Sequence, residues 1–367
     1  MRITRTKAWL TAAAAVAVVA AVTTPSSAAT NDPLYDKQWG LQQINAEQAW
    51  ATSTGAGAVI AVLDTGLDLN HPEFSGKLVP GATFTCPKGA VPCGNGDWKG
   101  PDGVGNDSDT HGTHVAGIAA AAAGNGAGIA GVAPNAKIMP VKVLEAGSGS
   151  YEEIANGIRW ATDHGADVIN MSLGGLAGTQ VLPILGIETA MAEAIAYAVS
   201  QGTAVVSAAG NTSTPLCSDP AFTNDAICVT ATDRNELKSW YSEFGVKPDL
   251  KVVAAPGGAG LVSCDDDVWA PVPAGTGSDA CGQADYDAYA GTSMATPHVA
   301  GVVALLAAQG RSLDDIYEVL LATARTPGGL VRGVYGPVYG YGIVDAAAAV
   351  AAAGATTTRT KGKKPRR

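Results

Sequence analysis

Three residues whose side chains can build a nucleophilic site lie far apart in the sequence, each in a stretch of small residues. Asp64 follows the apolar run AVIAVL and opens DTGLD, His111 opens HGTHVAG, and Ser293 lies in GTSMATPHVAG. A carboxylate, an imidazole and a hydroxyl in contact make the hydroxyl a nucleophile, because the oriented imidazole takes its proton. Each residue also has a simpler role, since aspartate forms turns and serine caps helices. The chemistry therefore depends on whether the fold brings all three together.

A fourth candidate is Asn211, which follows the apolar run TAVVSAA and a glycine. Its side chain could cap a turn. Alternatively, its amide N–H group could donate a hydrogen bond to an oxyanion that develops during acyl transfer. These residues alone leave both interpretations open.

Other chemistries that use similar motifs fit less well. The triplet DTG also occurs in aspartic proteases, which need two such aspartates, and the chain has no second D-T-G or D-S-G. His111 and His114 lack the H-E-x-x-H arrangement of a zinc peptidase, so we expect one to act as a base and the other to pack. No serine lies in the G-x-S-x-G elbow of α/β-hydrolases, which argues against an esterase of that fold.

The elements that must position these residues are predicted from continuous apolar runs, each followed by a helical pattern. Strands that are apolar on both faces are typical of a parallel sheet covered on both sides. The order of strands and helices predicts an α/β fold, a doubly wound and mainly parallel sheet flanked by helices. The predicted strands are residues 58–63, 137–144, 166–173, 203–209, 226–232 and 251–256.

Four helical patterns accompany these strands. One follows His111, one begins at Tyr151, one ends at Gly202, and the segment 294–308 is apolar nearly all round. A helix without a polar face is buried, so we expect the last of them in the centre of the molecule. Sites in doubly wound sheets form beyond the carboxyl ends of the strands, which is where Asp64 and Asn211 are predicted to lie.

The two ends of the chain differ in composition from the rest. Residues 1–29 have the basic start, apolar run and small-residue cleavage site of a secretory signal peptide, with cleavage expected near Ala29. The apolar run is short for a membrane span, and no second such run follows it. We expect one peptidase domain over residues 30–354, a basic disordered tail over 355–367, and a secreted, extracellular monomer.

Charge and cysteines narrow the class of protein further. The net charge is −10, although many of the basic residues lie in the signal and the tail, so the predicted domain is strongly acidic. That composition argues against a nucleic-acid partner. The six cysteines of an exported chain predict disulfides, and short loops favour three couples, while no C-x-x-C spacing supports zinc. The couples are Cys86 with Cys93, Cys217 with Cys228, and Cys264 with Cys281.

Five stretches together resemble the subtilisin-like serine peptidases: DTGLDLNHPEF, HGTHVAG, GVAPNAKI, AAGN and GTSMATPHVAG. The Asp-His-Ser order along the chain is also the order found in subtilisin. The resemblance covers the chain from about Trp39 to Val350. It implies a subtilisin-like fold in which Ser293 is the nucleophile, His111 the base and Asp64 the residue that orients it. It further implies an oxyanion hole formed by the Asn211 amide and the Ser293 N–H group.

The resemblance also implies how a substrate is held. Two backbone edges, residues 172–174 and 147–149, would pair with an extended polypeptide by strand addition. The second edge could instead be a structural loop. We further hypothesise that Ser218 and Asp219 line the first specificity pocket and that Asp219 admits basic side chains. The expected substrate-binding residues are Gly147, Ser148, Gly149, Ser172, Leu173 and Gly174.

No cofactor is expected for the chemistry, but members of this family often bind structural calcium. The usual region, residues 124–128 with Glu73, is poor in oxygen ligands here. A loop containing Asp102, Asn106, Asp107 and Asp109 is richer. A solvated acidic loop is the alternative. A catalytically inactive peptide-binding protein of the same fold is a weak rival, because every residue of the triad is retained.

Overall fold

A computed structural model describes residues 30–85, 107, 109–174, 190–261, 263–281 and 283–354. Several predictions fall outside the described residues. They are the signal over 1–29, the Cys86–Cys93 couple, the basic tail over 355–367, and the proposed ligands Asp102 and Asn106. The assignment of 30–354 to one peptidase domain stays a prediction.

A parallel sheet of seven strands forms the centre of the described chain. Its spatial order is β2-β3-β1-β4-β5-β6-β7, and each neighbouring pair is parallel. Six of these strands match the predicted apolar runs, and the short β2 was not predicted. The strands are β1 (Val59–Asp64), β2 (Ala82–Thr83), β3 (Lys137–Lys142), β4 (Val168–Met171), β5 (Ala204–Ala208), β6 (Ile227–Thr232) and β7 (Val252–Pro256).

Helices cover both faces of this sheet. Alternate residues of β1 point to opposite faces, so Ile60 joins one apolar layer and Ala61 joins the other. The predicted α/β fold with a doubly wound, mainly parallel sheet is therefore confirmed. The helices are α1 (Trp39–Gln43), α2 (Ala46–Trp50), α3 (His111–Ala120), α4 (Tyr151–Asp163), α5 (Ala190–Ser200), α6 (Thr292–Ala308), α7 (Leu313–Thr323) and α8 (Ala346–Ala351).

Helix α6 crosses the interior of the molecule, as its uniformly apolar sequence predicts. All its residues from Met294 to Leu306 are buried. It packs in the same layer as α3, together with alternate side chains of the central strands. Burial on all sides fixes the position of the first turn, which carries Ser293.

The segment around the Cys264–Cys281 disulfide forms a second, smaller sheet that the sequence did not predict. It contains an antiparallel pair of strands, β8 (Val268–Pro271) with β9 (Tyr286–Tyr289). The side chain of Trp269 in β8 is only 2% exposed. The apolar residues of β8 pack on α3, and this contact makes the strand part of the core.

Two of the three predicted disulfides lie within the described residues, and both are present. Cys217 is bonded to Cys228 and Cys264 to Cys281. The first is buried and closes the loop that contains Ser218. None of the helices in the described part of the chain combines the length and the apolar character needed to cross a membrane.

A glycine in α3 allows β8 to approach this closely. A side chain at Gly117 would overlap the ring of Pro271. In an open helix, Gly→Ala stabilises a protein by about 0.5–1 kcal/mol. Overpacking commonly costs about 1–3 kcal/mol, so we expect Gly117→Ala to lower the free energy of unfolding.

Urea denaturation of Gly117→Ala and of a control glycine tests this expectation. At Gly336 nothing lies within 4 Å of the position that an added methyl group would take, so Gly336→Ala should leave the midpoint nearly unchanged. A Gly117→Ala variant as stable as the wild type would contradict the proposed close contact.

Candidate active site

The carboxyl ends of neighbouring strands bring the candidate residues to one edge of the sheet. Asp64 is the last residue of β1, Ser172 follows β4, and Asn211 lies three residues beyond β5. These strands are adjacent in the sheet. The strand order also reverses at β1, because β2 and β3 lie on one side of it and β4 to β7 on the other. Such a reversal is where doubly wound sheets form binding crevices.

Asp64 and His111 form a direct hydrogen bond. The Asp64 Oδ1 atom lies 2.7 Å from Nδ1 of His111, the first residue of α3. Asp64 is fully buried, and the same oxygen accepts the N–H of Thr65 at 2.8 Å. A side chain at Gly112 would overlap the carbonyl oxygen of Gly66, so the glycine after His111 permits this approach.

Asp107 joins the strand that carries Asp64 to the helix that carries His111. Its Oδ1 atom accepts the Thr65 hydroxyl at 2.6 Å and the N–H groups of Asp109 and Thr110. Its Oδ2 atom accepts the Thr113 N–H at 2.8 Å and the Thr113 hydroxyl at 2.6 Å. One carboxylate therefore fixes the first turn of α3 against the end of β1.

The residue before His111 has an unusual backbone conformation. Thr110 has a φ of 106°, which branched residues rarely adopt. Its N–H donates to Asp107, and its hydroxyl lies 2.8 Å from the Tyr289 hydroxyl. These contacts hold the strained residue and thereby fix the direction in which the His111 side chain projects from the backbone.

Charge controls the protonation of His111. Burial alone lowers the pKa of this imidazole, but the carboxylates of Asp64, Asp107 and Asp109 outweigh burial, and the net effect raises the pKa. The Asp64 contribution is the largest of the three because this carboxylate is in direct contact. The ring remains partly exposed, with 27% of the side chain accessible, so it can meet a ligand.

Ser293 and Ser172 exchange two hydrogen bonds. The Ser293 hydroxyl donates to the Ser172 carbonyl at 3.2 Å, and the Ser172 hydroxyl donates to the Ser293 carbonyl at 2.7 Å. In a regular helix the N–H of residue 297 would occupy that carbonyl, but Pro297 has none. The proline inside α6 therefore frees an acceptor that ties the helix start to the end of β4.

Asn211 is held so that its amide can point only one way. Its Oδ1 atom accepts both the N–H and the hydroxyl of Thr292, each at 2.9 Å. The oxygen of the amide is thus turned to α6, and Nδ2 lies beside Gly291. Ser293 is the second residue of α6, where backbone N–H groups have no partner within the helix.

A cleft with a volume of about 700 Å³ runs past His111 and Ser293. Both predicted backbone edges, residues 147–149 and 172–174, line it. His111, Ser293 and the two backbone edges, which come from distant parts of the sequence, therefore share one open surface. Apolar side chains close one side of the cleft, namely Leu144, Tyr151, Ile154, Leu173 and Met191.

A smaller cavity of about 220 Å³ adjoins this cleft at Ser293. Ser218 lines it, together with Gly174, Asn211 and Thr212. The suggestion that Asp219 lines it is wrong. Asp219 is only 2% exposed, and its carboxylate accepts the Thr223 hydroxyl at 3.2 Å within its own loop.

The second histidine of the HGTH motif is packed. His114 is fully buried, and its ring stacks on Tyr289 with the ring centroids 4.3 Å apart. Burial lowers its pKa to about 3, which keeps the ring neutral. Within the described ranges, no group of three or more potential ligand residues is arranged around a metal position.

Two of the carboxylates weighed as calcium ligands, those of Glu73 and Asp107, accept several hydrogen bonds. Glu73 is fully buried and accepts the Ile129 N–H at 2.8 Å, the Tyr286 hydroxyl at 3.0 Å and the Asn125 amide at 3.1 Å. Burial raises its pKa to about 7. Asp107 is likewise filled by five donors. As they are arranged, these two carboxylates do not fit a calcium site.

Comparison with known proteins shows the family of the chain. The model of the Subtilase family matches residues 55–342, which is more than half of the chain. The chain therefore belongs to the subtilase family, and it is a serine-type endopeptidase.

Similar sequences include thermitase from Thermoactinomyces vulgaris, which is 42% identical over 296 residues covering 80% of this chain and 91% of thermitase. A thermophilic serine proteinase from a Bacillus species is 38% identical, over 80% of this chain and 63% of that protein. An extracellular protease from Xanthomonas campestris is 36% identical, over 87% of this chain and 56% of that protein.

A solved structure of a protease from Pseudoalteromonas arctica superimposes with a TM-score of 0.72. It is 34% identical in sequence, and the match covers 88% of this chain and 99% of that one. The fold is thus subtilisin-like, as the sequence motifs indicated.

The network around Asp107 predicts a change in the pH profile. The kcat/KM of an enzyme that uses His111 as its base rises with pH as the imidazole loses its proton. Asp107→Asn removes a negative charge that raises the pKa of His111, so the acid limb should move to lower pH. The side-chain NH2 group of the new asparagine would also face backbone N–H groups that donate to Asp107 in the wild type. The free energy of unfolding should therefore fall by about 1–3 kcal/mol.

Asp314→Asn is the matched control, because it removes one exposed carboxylate from α7, away from the cleft. Its acid limb should coincide with that of the wild type. An acid limb that stays in place, or moves to higher pH, in Asp107→Asn would contradict the electrostatic role of Asp107.

Proposed function

We propose that this chain is a secreted endopeptidase that hydrolyses peptide bonds of extended polypeptides through an acyl-enzyme formed on Ser293. The observation that carries the proposal is the 2.7 Å hydrogen bond between the side chains of Asp64 and His111. It lies at the wall of a cleft that Ser293 also lines. The chemistry needs no cofactor, because the chain supplies the nucleophile, the base and the oxyanion donors.

Substrate binding would use the backbone at both edges of the cleft. An extended peptide pairs with residues 147–149 on one side and 172–174 on the other, as an added strand. Gly147 and Gly149 carry no side chains that would hinder this approach. The 220 Å³ cavity beside Ser293 then receives the side chain that precedes the scissile bond. None of the described residues that line it carries a charged side chain, so we propose no preference for basic residues.

The first chemical step is attack by Ser293 on the substrate carbonyl carbon. For this the hydroxyl turns from the Ser172 carbonyl to Nε2 of His111, which takes its proton as the new C–O bond forms. Hydrogen bonds of this kind often align only when substrate is bound. The buried Asp64 carboxylate keeps the proton on Nδ1 and stabilises the imidazolium.

The remaining steps return the enzyme to its starting state. The imidazolium gives its proton to the leaving amine as the C–N bond breaks, which leaves an ester on Ser293. A water molecule then attacks the ester carbon while His111 takes one of its protons. The C–O bond to Ser293 breaks as His111 gives that proton to the serine oxygen, and the carboxylic acid product is released. The Asn211 amide and the Ser293 N–H group stabilise the oxyanion in both halves, aided by the positive end of the α6 dipole.

Export is supported by two independent features. The N-terminal segment has the composition of a signal peptide, and the two described disulfides are typical of proteins that leave the reducing cytosol. One of the relatives is named an extracellular protease. We propose polypeptide substrates and no nucleic-acid partner for this acidic domain, and we propose that it acts as a monomer.

The nucleophile assignment predicts the effect of Ser293→Ala. The variant should fold and bind peptides but hydrolyse a peptide p-nitroanilide at a rate lower by several orders of magnitude, because the acyl-enzyme cannot form. Ser200→Ala is the control, since this exposed serine at the end of α5 does not line the cleft. Hydrolysis by Ser293→Ala at the wild-type rate would show that the chain uses another nucleophile.

The oxyanion assignment predicts the effect of Asn211→Ala. In subtilisin, loss of one such amide donor lowers kcat by about 10²–10³, and we expect a fall of the same size here. KM should change little, because the donor acts mainly in the transition state. Far-ultraviolet circular dichroism would verify folding, and an unchanged kcat in a folded variant would exclude Asn211 from the oxyanion hole.

A further inference from the structure

A fully buried glutamate lies directly behind the proposed oxyanion segment. Glu243 has no exposed surface. Its Oε2 atom accepts the N–H groups of Thr212 at 3.1 Å and Thr214 at 2.8 Å. Its Oε1 atom accepts the hydroxyls of Thr212 at 2.6 Å and Ser218 at 3.4 Å. Four donors from one loop thus converge on a single carboxylate.

These contacts bracket Asn211 on both sides. Thr212, the next residue, is bound through both its N–H and its hydroxyl. Gly210, the preceding residue, packs on the glutamate so closely that a side chain there would lie 2.8 Å from Oε1, and its carbonyl accepts the Glu243 N–H at 3.1 Å. The backbone that carries the amide is therefore fixed by Glu243, while Thr292 fixes the amide itself.

We propose that Glu243 is a positioning residue that holds the Asn211 segment and the adjoining wall of the 220 Å³ cavity in the geometry required for oxyanion stabilisation. This inference rests on the function proposed above. Glu243 acts through the hydrogen bonds that it accepts and not through its charge, because a negative charge near a developing oxyanion would oppose it. Its four donors also leave no lone pair to meet a cationic substrate side chain.

Two substitutions separate geometry from charge. Glu243→Ala removes every acceptor and lets the loop relax, and a displacement of about 1 Å at such a group can cost about 10²-fold in rate. Glu243→Gln keeps the shape, with its oxygen facing the two N–H groups. Its nitrogen then faces two hydroxyls, which can rotate to accept. We therefore expect kcat to fall about 10²-fold in Glu243→Ala, with KM little changed, and to stay near the wild-type value in Glu243→Gln.

The control is Asp345→Ala, which removes a buried carboxylate that accepts the Ala348 N–H in α8. It should lower thermal stability without changing kcat. Affinity for a peptide boronic acid, which mimics the tetrahedral intermediate, should fall in Glu243→Ala in parallel with kcat and stay unchanged in the control. If Glu243→Ala does not fold, Glu243→Asp withdraws the carboxylate by one methylene and should show an intermediate loss of kcat.

The double variant Asn211→Ala with Glu243→Ala gives the sharpest test. If Glu243 acts through Asn211, its removal should cost little more once the amide is absent. Three results would each overturn the inference. The first is a double variant in which the two losses of kcat multiply. The second is an unchanged kcat in a folded Glu243→Ala or Glu243→Asp protein, and the third is a Glu243→Gln protein as impaired as Glu243→Ala. An unchanged kcat in Asn211→Ala alone would instead refute the proposed oxyanion hole.

Discussion

The contact between Asp64 and His111 is the constraint on which the rest of the site depends. A fully buried carboxylate needs strong partners, and here it has the imidazole at 2.7 Å and the Thr65 N–H at 2.8 Å. The contact requires a strand end and a helix start to approach closely. Gly112 permits that approach, and Asp107 holds it by accepting hydrogen bonds from both elements. The raised pKa of His111 is the electrostatic consequence of this arrangement.

The serine half of the site depends on a different set of constraints. Helix α6 is buried on all sides, so its first turn cannot move without disturbing the core. Pro297 leaves the Ser293 carbonyl free for the Ser172 hydroxyl, and Thr292 orients the Asn211 amide. The parallel sheet joins the two halves, because β1, β4 and β5 are neighbours whose carboxyl ends face the same cleft. Sequence segments more than two hundred residues apart thereby form one surface.

Much of the fold was predictable because apolar runs with no polar face have few alternatives. The six long strands and the buried helix α6 follow from such runs. The β8–β9 pair was missed, because its short strands lie in a segment rich in glycine and aspartate. Asp107 and Glu243 could not be assigned from sequence, since their roles come from donors that converge in space. Asp107 resembled a cation ligand, and Glu243 belongs to no recognised motif. The orientation of Asp219, away from the cavity, depends on its contact with Thr223.

The most direct test of an activated serine at this site is covalent labelling with a fluorophosphonate, which phosphonylates a serine hydroxyl and releases fluoride. Intact-mass analysis should show one label per molecule at neutral pH, and peptide mapping should locate it on Ser293. The rate of labelling should follow the deprotonation of His111 and should fall sharply in His111→Ala. A folded wild-type protein that remains unlabelled, or a label that persists in Ser293→Ala, would contradict the assignment of Ser293, His111 and Asp64 as one nucleophilic unit.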